Sequence, residues 1–206
     1  MGKYVRIAVC LTGASGIIYG LKLIDELWKR NFEVYAVISR NALLVSESEC
    51  FNESKLLDFI SVRTTEKYMD SDITSPLASS SFILDAVVIA PCSLKTLSDI
   101  SSSRQSNLIS RVACNALRLR RKVILLIRET PLSTIDIVNM LKASIAGAVV
   151  MPASPAFYGN VTTLNDAVDF IVGKILDVLG IENDLYARWG GTRTNQQKTL
   201  CDLLFG

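Results

Sequence analysis

Histidine is absent from all 206 residues. That removes Ser-His-Asp and Cys-His nucleophile systems and every His-ligated metal centre. Acid–base work is left to Glu, Asp, Lys, Tyr, Ser or a bound cofactor. Cysteine is sparse and scattered, and Cys10, Cys50, Cys92, Cys114 and Cys201 form no CxxC pair. This suits reduced thiols in a cytosol, not a disulfide frame or a zinc site. Charge of one sign is also lacking: the net value of +2 is too near neutral to argue for nucleic acid or an anionic membrane surface. No apolar run approaches the roughly 18 residues of a membrane span, and no leader-like pattern opens the chain. A cytoplasmic location with neither membrane nor nucleic-acid partner is the expectation. There is no GxxxxGK[ST] segment, and no Tyr is followed four residues later by Lys. The P-loop and the acid pair common in dinucleotide-dependent reductases are therefore both missing.

What is present begins with Tyr4 to Gly20. An apolar run, Val5 to Leu11, stops at Thr12-Gly13-Ala14-Ser15-Gly16, and helical spacing then starts with Ile17, Ile18, Leu21, Ile24 and Trp28. A buried strand, a tight turn and an amphipathic helix are expected in that order. Such a turn brings backbone N–H groups and the Ser15 hydroxyl toward an anion at the helix start, where the dipole favours negative charge. The alternative is a turn of small residues that merely reverses the chain.

Further along, Glu33 to Ile38 reads as a strand, with Ser39 capping a helix to about Glu49 whose inward residues are Ala42, Leu43, Leu44 and Val45. Residues 50 to 74 are less periodic and suggest only a short helix near Ser54 to Ile60. Thr74 to Ser81 is a polar loop. Asp85 to Ala90 is a buried strand ended by Pro91-Cys92-Ser93-Leu94-Lys95-Thr96, a second turn offering hydroxyls at a helix start. Asn107 to Leu119 is helical, and Arg104, Arg111 and Arg118 recur every seven residues, so Arg111 and Arg118 share a helix face. Lys122 to Ile127 is a strand followed at once by Arg128-Glu129-Thr130-Pro131. Ser133 and Asp136 open a helix that Gly147 ends. Ala148 to Met151 is a short strand, Pro152 to Tyr158 a rigid loop, and Asp166 to Leu179 the last strong helix, with Lys174 at the edge of its apolar face. Cys92 reads as a small core residue, since nothing nearby activates its thiol.

Alternating strands and helices imply a mostly parallel sheet covered on both faces. The fold expected is α/β, a Rossmann-like or flavodoxin-like three-layer sandwich in a single domain over residues 1–190, with a polar tail at 191–206. The turns after the strands gather Ser15, Ser39, Ser93, Lys95, Thr96, Arg128 and Glu129 at one edge, where open α/β sheets place ligands. A phosphate-bearing nucleotide suits that inventory. Two readings compete: a dinucleotide reductase, against which the glycines at 13, 16 and 20 leave Tyr19 in the third position of TGxxGxxG, and a flavin mononucleotide protein.

Thr12-Gly13-Ala14-Ser15-Gly16, Tyr19-Gly20, Ser79-Ser80-Ser81-Phe82, Pro91-Cys92-Ser93-Leu94-Lys95-Thr96-Leu97, Asn107-Leu108-Ile109, Arg128-Glu129-Thr130-Pro131-Leu132, Pro155-Ala156-Phe157-Tyr158 and Arg188-Trp189 together resemble the flavin prenyltransferases of the UbiX type. The related cysteine-peptide decarboxylases share fold and flavin but rely on a histidine that this chain lacks. The resemblance implies prenyl transfer from dimethylallyl phosphate to reduced FMN, bonding at N5 and then C6, with no metal. It implies delivery of the prenylated FMN to a UbiD-type decarboxylase, and a homo-oligomer, a dodecamer, with sites at subunit contacts. The family's FMN contacts carry onto Gly13, Ala14, Ser15, Ser39, Ser93, Leu94, Lys95, Thr96 and Arg128. Its allyl phosphate site carries onto Tyr158 and Lys174, with Arg118, Arg128 and Glu129 around it; the π faces of Tyr158 and Trp189 suit an allyl cation, the alternative for both being ordinary packing. Its second-step proton-handling pair carries onto Ser15 and Glu49.

The chemistry agrees with these assignments. A monophosphate leaves readily only when its charge is neutralised and an acid protonates it. Arg118, Arg128 and Lys174 supply charge, and Glu129 supplies the proton. The competing reading of Arg128 and Glu129 is a surface ion pair of little worth. A flavin-binding module without turnover is the third reading. Departures are few: the family often carries Lys where this chain has Arg118 and Arg where it has Lys174, which hold phosphate differently. Ser80 and Ser103 stand where glycine is frequent, which implies differently bent loops. Turnover is expected to survive EDTA; loss of product on chelation, restored by magnesium, is the outcome that contradicts it.

Overall fold

The computed structural model describes residues 5–157 and 161–190, together with Cys201 and Phe205. The chain forms two units, Met1–Ala153 and Ser154–Gly206. In the first, six strands pair in parallel throughout: β1 (Arg6–Leu11), β2 (Glu33–Ile38), β3 (Glu66–Met69), β4 (Ala86–Cys92), β5 (Lys122–Ile127) and β6 (Val149–Pro152), ordered β3-β2-β1-β4-β5-β6. The central four are almost wholly buried, as a parallel sheet with two covered faces requires. Between them run α1 (Ile17–Lys29), α2 (Arg40–Glu49), α3 (Glu53–Ser61), a single 3-10 turn at Pro76–Ala78, α4 (Leu94–Ser101), α5 (Leu108–Arg118) and α6 (Thr134–Ile145).

Side-chain alternation divides the core. Ala8, Cys10, Val37, Val87, Ile89, Val123 and Leu125 join Leu97, Ile100, Leu108, Ile109 and Val112 on the α4–α5 side. Their neighbours in sequence, among them Ile7, Val9, Leu11, Val34 and Ile38, are equally buried and point to the other face. Polar side chains set each helix start. Ser39 Oγ accepts from Ala42 N at 3.1 Å, Ser93 Oγ from Thr96 N at 3.3 Å, and Asn107 and Ser133 complete capping boxes with Ser110 and Asp136. Such caps satisfy N–H groups that a helix start otherwise leaves unpaired.

Four local expectations change. The stretch from 50 to 74 holds, besides α3, an edge strand: β3 is Glu-Lys-Tyr-Met, exposed or half-buried throughout, so it has no apolar alternation to announce it. On α1, Ile18 and Trp28 are exposed while Leu23 and Leu27 are buried; Trp28 instead packs under Arg63, whose guanidinium carbon lies 5.5 Å from the ring centroid. On α2, Leu44 faces outward and Ser46 takes the interior, its hydroxyl donating to Phe51 O at 2.7 Å. Ser103 adopts the left-handed conformation, φ 54, so the bend glycine would favour is kept by a serine.

Gly20 brings α1 against the sheet. A Cβ there would meet Ala90 O and Leu11 Cδ2, each at 2.2 Å, and a backbone carbonyl in a buried strand cannot step aside. Gly20→Ala is therefore expected to lose more through this clash, about 1–3 kcal/mol for overpacking, than alanine regains in helix propensity, up to about 1 kcal/mol. A lower urea midpoint at unchanged slope is the expected result; a higher midpoint would show that α1 can shift outward freely.

Candidate active site

The strand order reverses between β1 and β4, and the residues ending those strands meet there. Thr12, 2 % exposed, donates its hydroxyl to Pro91 O at 2.7 Å and accepts from Ser93 N at 2.8 Å. One side chain thus ties the turn after β1 to the turn after β4. Gly13 lets the first turn lie flush on α2, since a Cβ there would sit 2.3 Å from Asn41 Cβ. Gly16 closes the turn at φ 98 and is the N-cap of α1 with no side-chain cap. Glu49 supplies that missing acceptor from the far end of α2: its Oε2 accepts from Gly16 N at 2.7 Å and Ile17 N at 3.2 Å. Arg128, just past β5, donates from Nε to Ser15 O at 3.1 Å. Ser15, Glu49 and Arg128, assigned from three distant segments, converge on a single turn.

Tyr19 belongs to the same group. Burial pushes its phenol above the ordinary value, Arg128 opposes the shift and Glu49 adds to it. Sequence reasoning treated Tyr19 as a departure from a glycine pattern and gave it no role; its position one turn into α1 was the available signal. Glu129 is exposed, and its Oε1 accepts from Thr130 N at 3.1 Å. Among the described residues no ion pair joins Arg128 to Glu129, so the simple surface pair is not what the two form. Cis peptide bonds precede Pro91 and Pro131.

The second and third helix starts add Ser39 and the Ser93–Thr96 turn, where Ser93 Oγ donates to Thr96 Oγ1 at 3.0 Å. Lys95 turns away along α4: its ammonium meets Asp99 Oδ2 at 3.0 Å. Asp99, 2 % exposed, also accepts from Ser106 at 2.6 Å and Arg104 at 2.9 Å. Burial raises its pKa, yet these donors outweigh burial and hold it below the usual carboxylate range. What Lys95 brings to the strand edge is its backbone N–H. Cys92 is buried, and burial drives its thiol far up, with Cys10 adding to the shift; it packs as a core residue. Arg118 is not brought to this edge. It closes α5 just before β5 begins, bonded to Asn115 Oδ1 at 2.9 Å, whereas Arg128 follows the other end of β5, a strand length of roughly 20 Å away.

In the second unit, α7 (Leu164–Leu179) starts at a Thr163–Asp166 capping box and ends at Gly180, φ 80. Lys174 Nζ lies 4.9 Å from the Tyr186 ring centroid and 5.6 Å from that of Phe170. Asp177 fastens the segment after the helix: it accepts from Arg188 at 2.8 and 3.2 Å, from Asn183 at 2.9 Å and from the Tyr186 hydroxyl. Trp189, next to Arg188, is exposed. Tyr158 lies outside the described residues.

The donors at the first unit's strand ends are hydroxyls, helix-start N–H groups and one guanidinium, and they match a monoester phosphate. Among the described residues no group of three or more Cys, Asp or Glu could hold a metal ion, and no helix is long and apolar enough to cross a membrane. Together, the doubly wound sheet, the glycine turn at its switch point and this donor set define a nucleotide-phosphate-binding α/β protein. The chain belongs to the Flavoprotein family, whose model matches residues 1–176, and within it to the UbiX flavin prenyltransferases. The flavin prenyltransferase UbiX of Methanocaldococcus jannaschii is 46% identical over 186 residues, covering 90% of this chain and 99% of its own. The crystal structure of AnUbiX (PadA1) in complex with FMN and dimethylallyl pyrophosphate superposes with TM-score 0.88 at 35% identity, over 93% of this chain and 100% of that one. A dodecameric FMN-dependent Ubix-like decarboxylase from Escherichia coli O157:H7 does so at 0.86 and 33%, over 91% and 100%.

Asp177 carries a pH signature. The Arg188 hydrogen bond, then those from Tyr186 and Asn183, hold its pKa at about 2 against the opposing effect of burial. A depressed carboxylate stabilises the fold above its unfolded value of 3.8, and that contribution is lost as pH falls toward 2. Carboxyl NMR titration is expected to place Asp177 at about 2 in wild type and distinctly higher in Arg188→Ala; an unchanged midpoint in the variant would contradict the assigned cause.

Proposed function

We propose that this protein is a flavin prenyltransferase that moves the dimethylallyl group of dimethylallyl phosphate onto N5 and C6 of reduced FMN. The observation carrying the reading is the turn at Thr12–Gly16, where Ser15, Glu49 and Arg128 meet in a chain 46% identical to a UbiX enzyme. Reduced flavin, when bound, supplies the nucleophilic atoms.

The chain's own residues hold, screen and move protons. The phosphate of FMN is held by the starts of α2 and α4, through Ser39, Ser93 and Thr96, with Gly13, Ala14, Leu94 and Lys95 contributing backbone. Arg128, anchored on Ser15 O, presents its remaining N–H groups as a fixed positive charge, the kind of preorganised donor that stabilises a departing phosphate. Glu129 donates the proton that phosphate takes as it leaves. Glu49, seated on two backbone N–H groups beside Ser15, is positioned to accept the proton lost when the ring closes. Tyr158 and Lys174 are assigned to the allyl phosphate by the resemblance, and Trp189 to the allyl group by its π face. Arg118 cannot share its own chain's strand-end edge, so it serves a neighbouring copy in a dodecamer like that of the E. coli relative. The product is passed to a UbiD-type decarboxylase.

Mass spectrometry after anaerobic incubation with reduced FMN and dimethylallyl phosphate tests the reaction: one C5 unit gained and phosphate released is expected, and bound but unmodified flavin overturns it. Glu129→Gln keeps shape and removes the proton. FMN binding should persist while single-turnover prenylation at saturating donor falls by a factor on the order of 10² to 10⁴, the usual share of general acid catalysis. Lys174→Ala should lose donor affinity first. Wild-type rates in Glu129→Gln would assign the acid elsewhere.

A further inference from the structure

Beyond Gly180 the chain doubles back along α7, and one carboxylate binds it there. Ile181 N donates to Leu176 O at 2.9 Å, and Asn183, Tyr186 and Arg188 then all donate to Asp177. Gly173 permits so close a return: a Cβ there would lie 2.5 Å from Tyr186 Cδ1 and 2.9 Å from Asn183 Oδ1. The Tyr186 ring meets that of Phe170 edge-on, with centroids 5.0 Å apart and an interplanar angle of 67°. Phe170, Lys174 and Asp177 follow one another at steps of four and three, so they share the helix face that Tyr186 covers. The half-buried Lys174 side chain puts its ammonium in the corner of the two rings, 4.9 Å from the centroid of Tyr186 and 5.6 Å from that of Phe170. Both distances are within the range at which a ring face attracts a cation.

We propose that Tyr186, anchored by Asp177, is a positioning residue that holds the Lys174 ammonium ready for the phosphate of the allyl donor. The inference rests on the prenyltransferase reading, which gives Lys174 to that phosphate, and adds what aims it. A lysine is a point charge on a flexible four-carbon stem, with no planar fork to fix its direction. Ring faces supply the direction, and they bring no formal negative charge of their own to compete with a phosphate. Ordering the side chain before the donor arrives removes a cost otherwise met on binding. The Tyr186 hydroxyl donates to a carboxylate, which polarises the phenol and enriches its ring in electron density, so the pull on a cation deepens. Asp177 thus acts through Tyr186 in two ways, on where the ring stands and on how strongly it attracts.

Calorimetric titration of dimethylallyl phosphate into the protein holding oxidised FMN reads donor binding apart from chemistry, since only reduced flavin is the nucleophile. Tyr186→Leu is expected to weaken donor binding about five- to thirtyfold, the size of one partly desolvated cation–π contact, with FMN affinity and far-UV circular dichroism unchanged. Tyr186→Phe keeps the ring and should recover most of that loss, and Asp177→Asn should fall between the two. In a Lys174→Ala background, Tyr186→Leu should cost less than about a further twofold, because the contact is already gone. Wild-type donor affinity in folded Tyr186→Leu overturns the proposal, as do additive losses in the double variant, which mark a ring with a merely structural role. If Tyr186→Leu does not fold, wild-type donor affinity in Asp177→Asn overturns it equally. A wild type that binds donor with this dependence on Tyr186 but never alkylates reduced flavin defeats the prenyltransferase reading and leaves the Lys174 seat standing. A wild type that binds no dimethylallyl phosphate overturns both.

Discussion

The hydroxyl of Thr12 sits where the two halves of the sheet part company, and most of the site's geometry depends on it. It donates to Pro91 O and accepts from Ser93 N, so a single buried oxygen satisfies one backbone carbonyl and one N–H at a point where parallel strands diverge and cannot bond each other. Leaving those partners unpaired would cost about 1–3 kcal/mol each in a dry environment. The register of the β1 turn against the β4 turn follows from it. So does the placement of two helix starts, α1 and α4, that open toward one crevice. Gly13 and Gly20 work to the same end by a different means: one admits Asn41 and the other admits the Ala90 carbonyl, so α1, α2 and the sheet approach more closely than any side chain would permit.

The parts of this arrangement that could be read in advance are those governed by local pattern. Val5–Leu11, Asp85–Ala90 and Lys122–Ile127 are apolar runs that only a two-faced sheet can bury, and the small or hydroxylic residues after them are turn and cap chemistry. What could not be read depended on partners distant in sequence. β3 is a strand because Tyr35–Ile38 offers it a free edge, not because Glu-Lys-Tyr-Met favours extension. Lys95 sits in a phosphate-like turn, but a buried acid four residues on, itself without any motif, claims its charge. Leu44 and Ile18 look inward by composition and face outward in three dimensions. Apolar spacing tells which residues need cover, not whether their own chain or another provides it.

Residue positions along one strand also separate roles that a linear reading merges. Arg118 and Arg128 are ten positions apart and look like members of one cluster, yet β5 runs its length between them. In a parallel sheet every helix returns the chain to the opposite edge, so residues just before and just after a strand never share a crevice. Within one chain, arginines so divided do not meet at the strand-end crevice.

Glu49 on the N–H groups of Gly16 and Ile17 gives the glycine turn a built-in counterion. The positive end of α1, which in many nucleotide folds is left open for a phosphate, is here neutralised from within. Small free anions such as sulfate or inorganic phosphate gain little by approaching it, because the strongest seat is already filled by a tethered carboxylate. Discrimination between the nucleotide and the far more abundant simple anions of a cell is thereby shifted onto the rest of the ligand.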